Sequence, residues 1–192
     1  RRLPVVRAVE RDTVLSPIAI VPQRGDLEHG ESLAEAVPLV GADYVHSELG
    51  ITGKGIAVAV LDTGIDRSHR DFEGKIVEQY CYSSSRSCAP TNVVENANAQ
   101  DEAGHGTGVS GIIASKGVVS SVGVAPGANL VAVRVFQDAG GAQTSDIIKG
   151  LDFVLVKQLP HNIRVVNMSL GGGSGRGTNC DDQNASMKEA FR

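Results

Sequence analysis

The sequence predicts an α/β fold: a doubly wound, mostly parallel sheet with helices on both faces, incomplete at its C-terminal end. Three observations carry this. Ile56-Ala57-Val58-Ala59-Val60-Leu61, Leu130 to Phe136 and Ile163 to Leu170 are apolar-rich runs of strand length. Such a run without regular polar alternation suits a parallel strand covered on both faces. Ile147, Ile148, Leu151, Val154 and Leu155 recur at helical spacing between the second and third runs. Strand and helix alternate along the chain, the order of a sheet built with right-handed crossovers. Sites in such sheets lie at the carboxyl ends of the strands.

Size and charge bound the rest. The 192 residues amount to about one domain on a prior of ~100–200 residues each. With 41% hydrophobic residues there is material for a real core. Eighteen basic residues against 22 acidic ones, with no basic cluster, argue against a nucleic-acid partner. No apolar run approaches the ~18–20 residues a membrane span needs. The chain opens on Arg1-Arg2 without an apolar leader, so a signal peptide is read as removed or not included. Twenty-three glycines imply many tight turns.

Residues 1–36 read as the tail of one unit followed by a linker, and residues 37–192 as the next unit. Leu3 to Asp12 is at best a short strand, interrupted by Ser16-Pro17 and Val21-Pro22, and Gln23 to Glu35 is polar and acidic. Ala42 to Leu49 suits a short helix stopped by Gly50, with a turn at Thr52 to Gly55. The strand from Ile56 ends at Asp62, followed by Thr63-Gly64. Residues 70–103 read as a long irregular segment, after which His105 opens a helix through about Ser115. Ser145 is the expected N-cap of the next helix, Asp146 sits in its first turn where the dipole favours a negative charge, and Pro160 stops it. A last helix begins near Asn184 and runs to Arg192. Cys81 and Cys88, seven apart, are close enough to pair in an exported chain, leaving Cys180 over; three free thiols is the other reading. No His/Cys spacing suits a structural zinc.

The stretch Gly104-His105-Gly106-Thr107-Gly108-Val109-Ser110-Gly111 poses the functional question. Glycines at that density let backbone and ligand come close, so His105 is a placed acid–base group or part of a phosphate cradle, Gly106-x-Gly108-x-x-Gly111. The cradle needs a strand directly before it and an acid ~20 residues on. Ala97 to Ala103 is no strand, and residues 125–135 hold no acid. The glycines at 171–177 lack the Gly-Lys-Ser/Thr of a P-loop. An aspartate such as Asp62, at the end of a buried strand, is costly unless its carboxylate has strong partners; capping the Thr63-Gly64 turn would supply some. Asn167 to Gly172 ends a strand with small residues and available backbone, suited to pairing with an extended peptide.

These pieces, in this order, resemble the subtilisin-like serine proteases (subtilases). The matching segments are Val60-Leu61-Asp62-Thr63-Gly64-Ile65-Asp66, His105 to Gly111 and Asn167-Met168-Ser169-Leu170-Gly171-Gly172, with Val124-Ala125-Pro126-Gly127-Ala128 a family turn. The similarity covers about residues 37–192, and Val6 to Val14 faintly resembles the end of the family's inhibitory pro-segment. The resemblance implies a secreted, monomeric serine endopeptidase acting on extended polypeptides, with its own pro-segment as a partner. Asp62 would be the triad aspartate and His105 the general base, and Ser169, Leu170 and Gly171 one wall of the substrate cleft. It implies no cofactor for the chemistry and leaves room for structural calcium. Asp71 sits where some subtilases bind calcium, yet calcium takes 6–8 oxygens, so Asp71 reads as a surface-loop acid. Of the two sequons, Asn167 and Asn184, only the second lies outside a predicted strand.

Two features depart from the family. Gly108 stands where a second histidine is usual. The Gly-Thr-Ser-x-x-x-Pro stretch that carries the nucleophile, and the oxyanion-hole asparagine before it, are not among these 192 residues. Ser174 and Ser186 lack that context. These residues alone are therefore expected to be inactive in acyl transfer, and the alternative is a catalytically inactive, protease-like peptide-binding module.

Overall fold

The computed structural model describes residues 12–17, 33–90, 92–138, 140–172 and 185–190. In chain order these form β1 (Val14–Pro17), α1 (Leu33–Leu39), α2 (Ala42–Ser47), β2 (Ala57–Asp62), β3 (Ile76–Tyr82), β4 (Glu95–Asn96), α3 (His105–Ala114), β5 (Asn129–Arg134), β6 (Ala142–Gln143), α4 (Thr144–His161), β7 (Ile163–Asn167), β8 (Leu170–Gly171) and α5 (Ala185–Ala190). The main sheet has the order β4-β3-β5-β2-β7. Its four longer strands are parallel, and β4 is antiparallel on β3.

The apolar runs of β2 and β5 are explained by burial on both faces. Ala57, Ala59, Leu61, Val131 and Val133 point to the side covered by Ile147, Leu151 and Val154 of α4. Val58, Val60, Leu130 and Ala132 point to the side closed by Val109 and Ala114 of α3, with Ile65 and Phe72. A doubly wound sheet with helices on both faces is therefore what the chain builds.

The structure corrects six local expectations. The segment 70–103 is not irregular throughout: β3 lies inside it and pairs in parallel with β5. Glu78 and Gln79 break its apolar run; Glu78 is answered from α4 by Lys157 Nζ at 2.5 Å. The stretch 163–170 is not one strand. β7 ends at Asn167, and after Met168 and Ser169 the chain joins a different sheet as β8. Ser16-Pro17 does not interrupt a strand but completes β1, with Pro17 at its end, where a missing N–H matters least. Helix α4 starts at Thr144 with Gln143 as N-cap, two residues before the expected cap Ser145, while Asp146 is in its first turn. Pro160 does not stop α4, which runs one residue further to His161. In the last turn a proline forfeits a single hydrogen bond, and Asn162, left-handed at φ 51°, closes the helix. Cys81 and Cys88 form a disulfide; Cys180, Ser174 and Asn184 lie outside the described residues.

Asp71 is the sixth correction. It is 0% exposed. Its carboxylate accepts from the backbone N–H groups of Val118 (2.5 Å), Val119 (3.0 Å) and Ser120 (3.0 Å) and from the Ser120 hydroxyl (2.7 Å). It pins the loop after α3 to the loop after β2. Burial alone would raise its carboxyl, but these four donors hold it well below the usual carboxylate range. Because the folded pKa lies below the unfolded one, the stability it contributes is present above the unfolded value and is lost as pH falls through the folded value. Asp71→Asn keeps the shape but places an amide against N–H donors; it should cost about 2 kcal/mol in denaturant unfolding at pH 7. The gap between variant and parent should narrow only in strong acid.

Candidate active site

The site stands at the carboxyl end of β2, where the parallel sheet leaves a crevice. Asp62 is the last residue of β2, is 0% exposed, and accepts the Thr63 backbone N–H on Oδ1 at 2.7 Å. His105 is the first residue of α3, and its Nδ1 lies 2.7 Å from the same oxygen. A carboxylate only accepts, so Nδ1 carries the proton and Nε2 is the basic nitrogen. Oδ2 of Asp62 has no partner among the described residues. Burial pushes the Asp62 carboxyl above its ordinary value, against the opposing pull of His105 and the Thr63 N–H.

Two glycines permit this approach. A Cβ on Gly106 would lie 2.2 Å from the Gly64 carbonyl oxygen and 3.1 Å from Asp62 Oδ1. Gly64 has φ +113°, and a Cβ there would lie 2.4 Å from the Ala99 oxygen. Side chains at either place would push the helix carrying the histidine off the strand carrying the aspartate.

The first turn of α3 has free N–H groups, as every helix start does, and Gly104 as N-cap offers no side chain. Residues outside the helix supply the acceptors. Thr63 Oγ1 takes the Gly106 N–H at 2.8 Å, and Asp101 Oδ2 takes the Thr107 N–H at 2.9 Å and its hydroxyl at 2.5 Å. His105 is 18% exposed in its side chain and lines a cavity of about 390 Å³ shared with Pro17, Thr63, Arg134, Phe136 and Asp138.

On the same side a second sheet, ordered β6-β1-β8, is antiparallel throughout. Ser16 and Pro17 pair with Gly171 and Leu170, and Val14 and Leu15 with Gln143 and Ala142. Leu15 packs on the α4-side core, and a Cβ on Gly172 would come within 3.2 Å of it. The Thr144 N–H donates to the Thr13 carbonyl at 2.8 Å, and Ser145 donates through its N–H (3.0 Å) and hydroxyl to the Asp12 carboxylate. The expected wall therefore divides: Leu170 and Gly171 carry strand pairing, whereas Ser169 lies in the turn before them and accepts from Asn167 Nδ2 at 3.0 Å. Sequence reading missed β6, Ala142–Gln143, because two residues carry no periodicity. It also missed Asp101 and Thr63, although an acid a few residues before a glycine-capped helix is a recognisable source of acceptors.

Residues 53–191 match the family described as the Subtilase family. A subtilisin-like protease of Coccidioides posadasii (strain C735) is 35% identical over 189 residues, 97% of this chain and 43% of that protein. Subtilisin E of Bacillus subtilis (strain 168) is 36% identical over 149 residues, 77% and 35% of the two chains. The alkaline serine protease ver112 of Corniculantispora psalliotae is 33% identical over 176 residues, 90% and 41%. The chain belongs to the subtilase family of serine proteases. It spans less than half the length of each of these relatives.

A raised carboxyl pKa means that folding favours the neutral form: Asp62 adds stability below its unfolded pKa and loses it as pH rises through the folded value. At neutral pH the ionised group is thus a burden on the fold. Asp62→Asn should raise the melting temperature at pH 7 in differential scanning calorimetry. Gly106→Ala should lower it, through a destabilisation of about 2 kcal/mol or more, since the added methyl overlaps backbone on a facing segment. An Asp62→Asn protein melting below its parent would contradict the first expectation.

Proposed function

We propose that this chain is the N-terminal part of the catalytic domain of a secreted serine endopeptidase that cleaves peptide bonds through a covalent acyl-enzyme. Residues 1–36 are then the end of a pro-segment and a linker, and residues 37–192 the start of the domain. The observation that carries the reading is the 2.7 Å contact between Asp62 and His105 Nδ1 beside a three-stranded antiparallel arrangement. In this reading His105 Nε2 takes the proton of an attacking serine and returns it to the leaving amine. Asp62 holds the ring in the required tautomer and stabilises the imidazolium that forms. At the N-terminus of α3 the helix dipole disfavours a resting positive charge on the ring, keeping it ready to accept. The serine and the oxyanion donor come from chain outside residues 1–192.

An extended substrate would run antiparallel between Leu170–Gly171 and Ala142–Gln143, with Ser169 at the end of that wall near the bond to be cut. Residues 12–17 take that path here, which supports reading them as the chain's own pro-segment lying where a substrate would lie. The enzyme acts as a monomer in this account. The proposed chemistry asks for no cofactor. Asp71 is a poor calcium ligand, because N–H and O–H donors crowd both its oxygens; a structural calcium would have to find its ligands elsewhere.

A fluorophosphonate probe tests the proposal. The 192-residue chain should not be labelled. The same chain extended by its downstream coding sequence should be labelled at one serine, and Asp62→Asn should slow that labelling by a factor on the order of 10⁴. Labelling of Ser174 or Ser186 in the short chain would contradict the assignment. An extended chain that binds peptide and takes no label would favour the peptide-binding module.

A further inference from the structure

We infer that Asp101 is a positioning residue for the acid–base pair, acting through Thr63 and the first turn of α3 to set where the His105 ring meets Asp62. The inference rests on the reading of Asp62 and His105 given above, and on geometry that the pair itself does not explain. Asp101 is buried and touches neither the ring nor the space a peptide would fill, yet its carboxylate accepts five hydrogen bonds. Oδ1 takes the Thr63 hydroxyl at 2.9 Å and the backbone N–H groups of Ala103 (3.0 Å) and Gly104 (2.9 Å). Oδ2 takes the N–H and hydroxyl of Thr107. The donors lie immediately after Asp62 in one segment and on both sides of His105 in the other.

Thr63 makes the connection physical. Its N–H holds the Asp62 carboxylate, while its hydroxyl donates to Asp101 and accepts from the Gly106 N–H. Asp62, Thr63, Asp101 and Gly106 thus form one chain of hydrogen bonds around His105. Asp101 is itself held on both sides. Its N–H donates to the Ile65 carbonyl at 3.1 Å, and buried Arg134 donates through Nη1 to the Gln100 carbonyl at 2.9 Å. A carboxylate with this many donors is held ionised: burial pushes it up, but the donors from Thr107, Gly104 and Ala103 bring it below its ordinary value. A neutral amide at 101 could not serve the same set, since its NH₂ would face N–H donors.

Proton NMR on the 192-residue chain decides the matter, following the downfield resonance of the His105 Nδ1 proton and its exchange with water in the folded protein. In Asp101→Asn and in Thr63→Val the resonance should shift and its exchange should quicken by about tenfold or more, as expected when a charge-assisted bond is lost from a buried network. Thr63→Ser, which keeps the hydroxyl, should restore the parental signal. Thr63→Val removes one hydroxyl and supplies the answer even where Asp101→Asn does not fold. A lowered melting temperature together with an unshifted resonance and unchanged exchange would overturn the inference, leaving Asp101 a helix cap and no more. The readout is the geometry of the pair rather than turnover, so it stands apart from whether the extended chain hydrolyses peptides.

Discussion

The buried carboxylate of Asp62 is the constraint on which this arrangement depends. It sits at the end of a strand whose two faces are both covered, so it has no water to turn to and must be answered by protein groups. The answer comes from the Thr63 N–H and the His105 ring, both on one oxygen. Bringing a helix start that close requires two glycines in contact, Gly106 over the Gly64 carbonyl. Gly106 and Gly64 are therefore the steric consequence of placing one ring against one carboxylate, whereas a Cβ on Gly108 or Gly111 would meet nothing.

Three of the four aspartates buried among the described residues, Asp62, Asp71 and Asp101, show how the same residue type is put to different uses. Asp71 and Asp101 are each wrapped by four or more donors and serve to tie loops together. Asp62 has two partners and an unpaired oxygen, and it alone is pushed above the ordinary carboxyl range. Of the three, the under-supported carboxylate is the one that holds the His105 ring, and it is the ring that lines the cavity.

The peptide path proposed above rests on the same topology. After β7 the chain leaves the parallel sheet, and β8 offers its backbone to an antiparallel partner. Residues 14–17 accept that offer on one side and β6 on the other, with Asp12 reaching the start of α4. Pairing of this kind reads main chain, so it suits extended peptides of many sequences.

The sequence by itself determined the sheet and the pair. The runs at 56–61 and 130–136 have the length and composition of strands covered twice. Asp62 and His105 are paired by the order of three motifs that resemble one family, since their own neighbours leave a turn cap and a phosphate cradle open. Tertiary structure alone decided what depends on contacts between distant segments. β3 became a strand because β5 and α4 cover its polar middle, Asp71 was drawn inside by backbone donors some fifty residues away, and the run at 163–170 divided where one sheet ends and another begins. Asp101 and Thr63 were invisible for the same reason. A residue that acts by accepting or bridging N–H groups leaves no periodicity, and its partners are identified only when the chain has folded back upon itself.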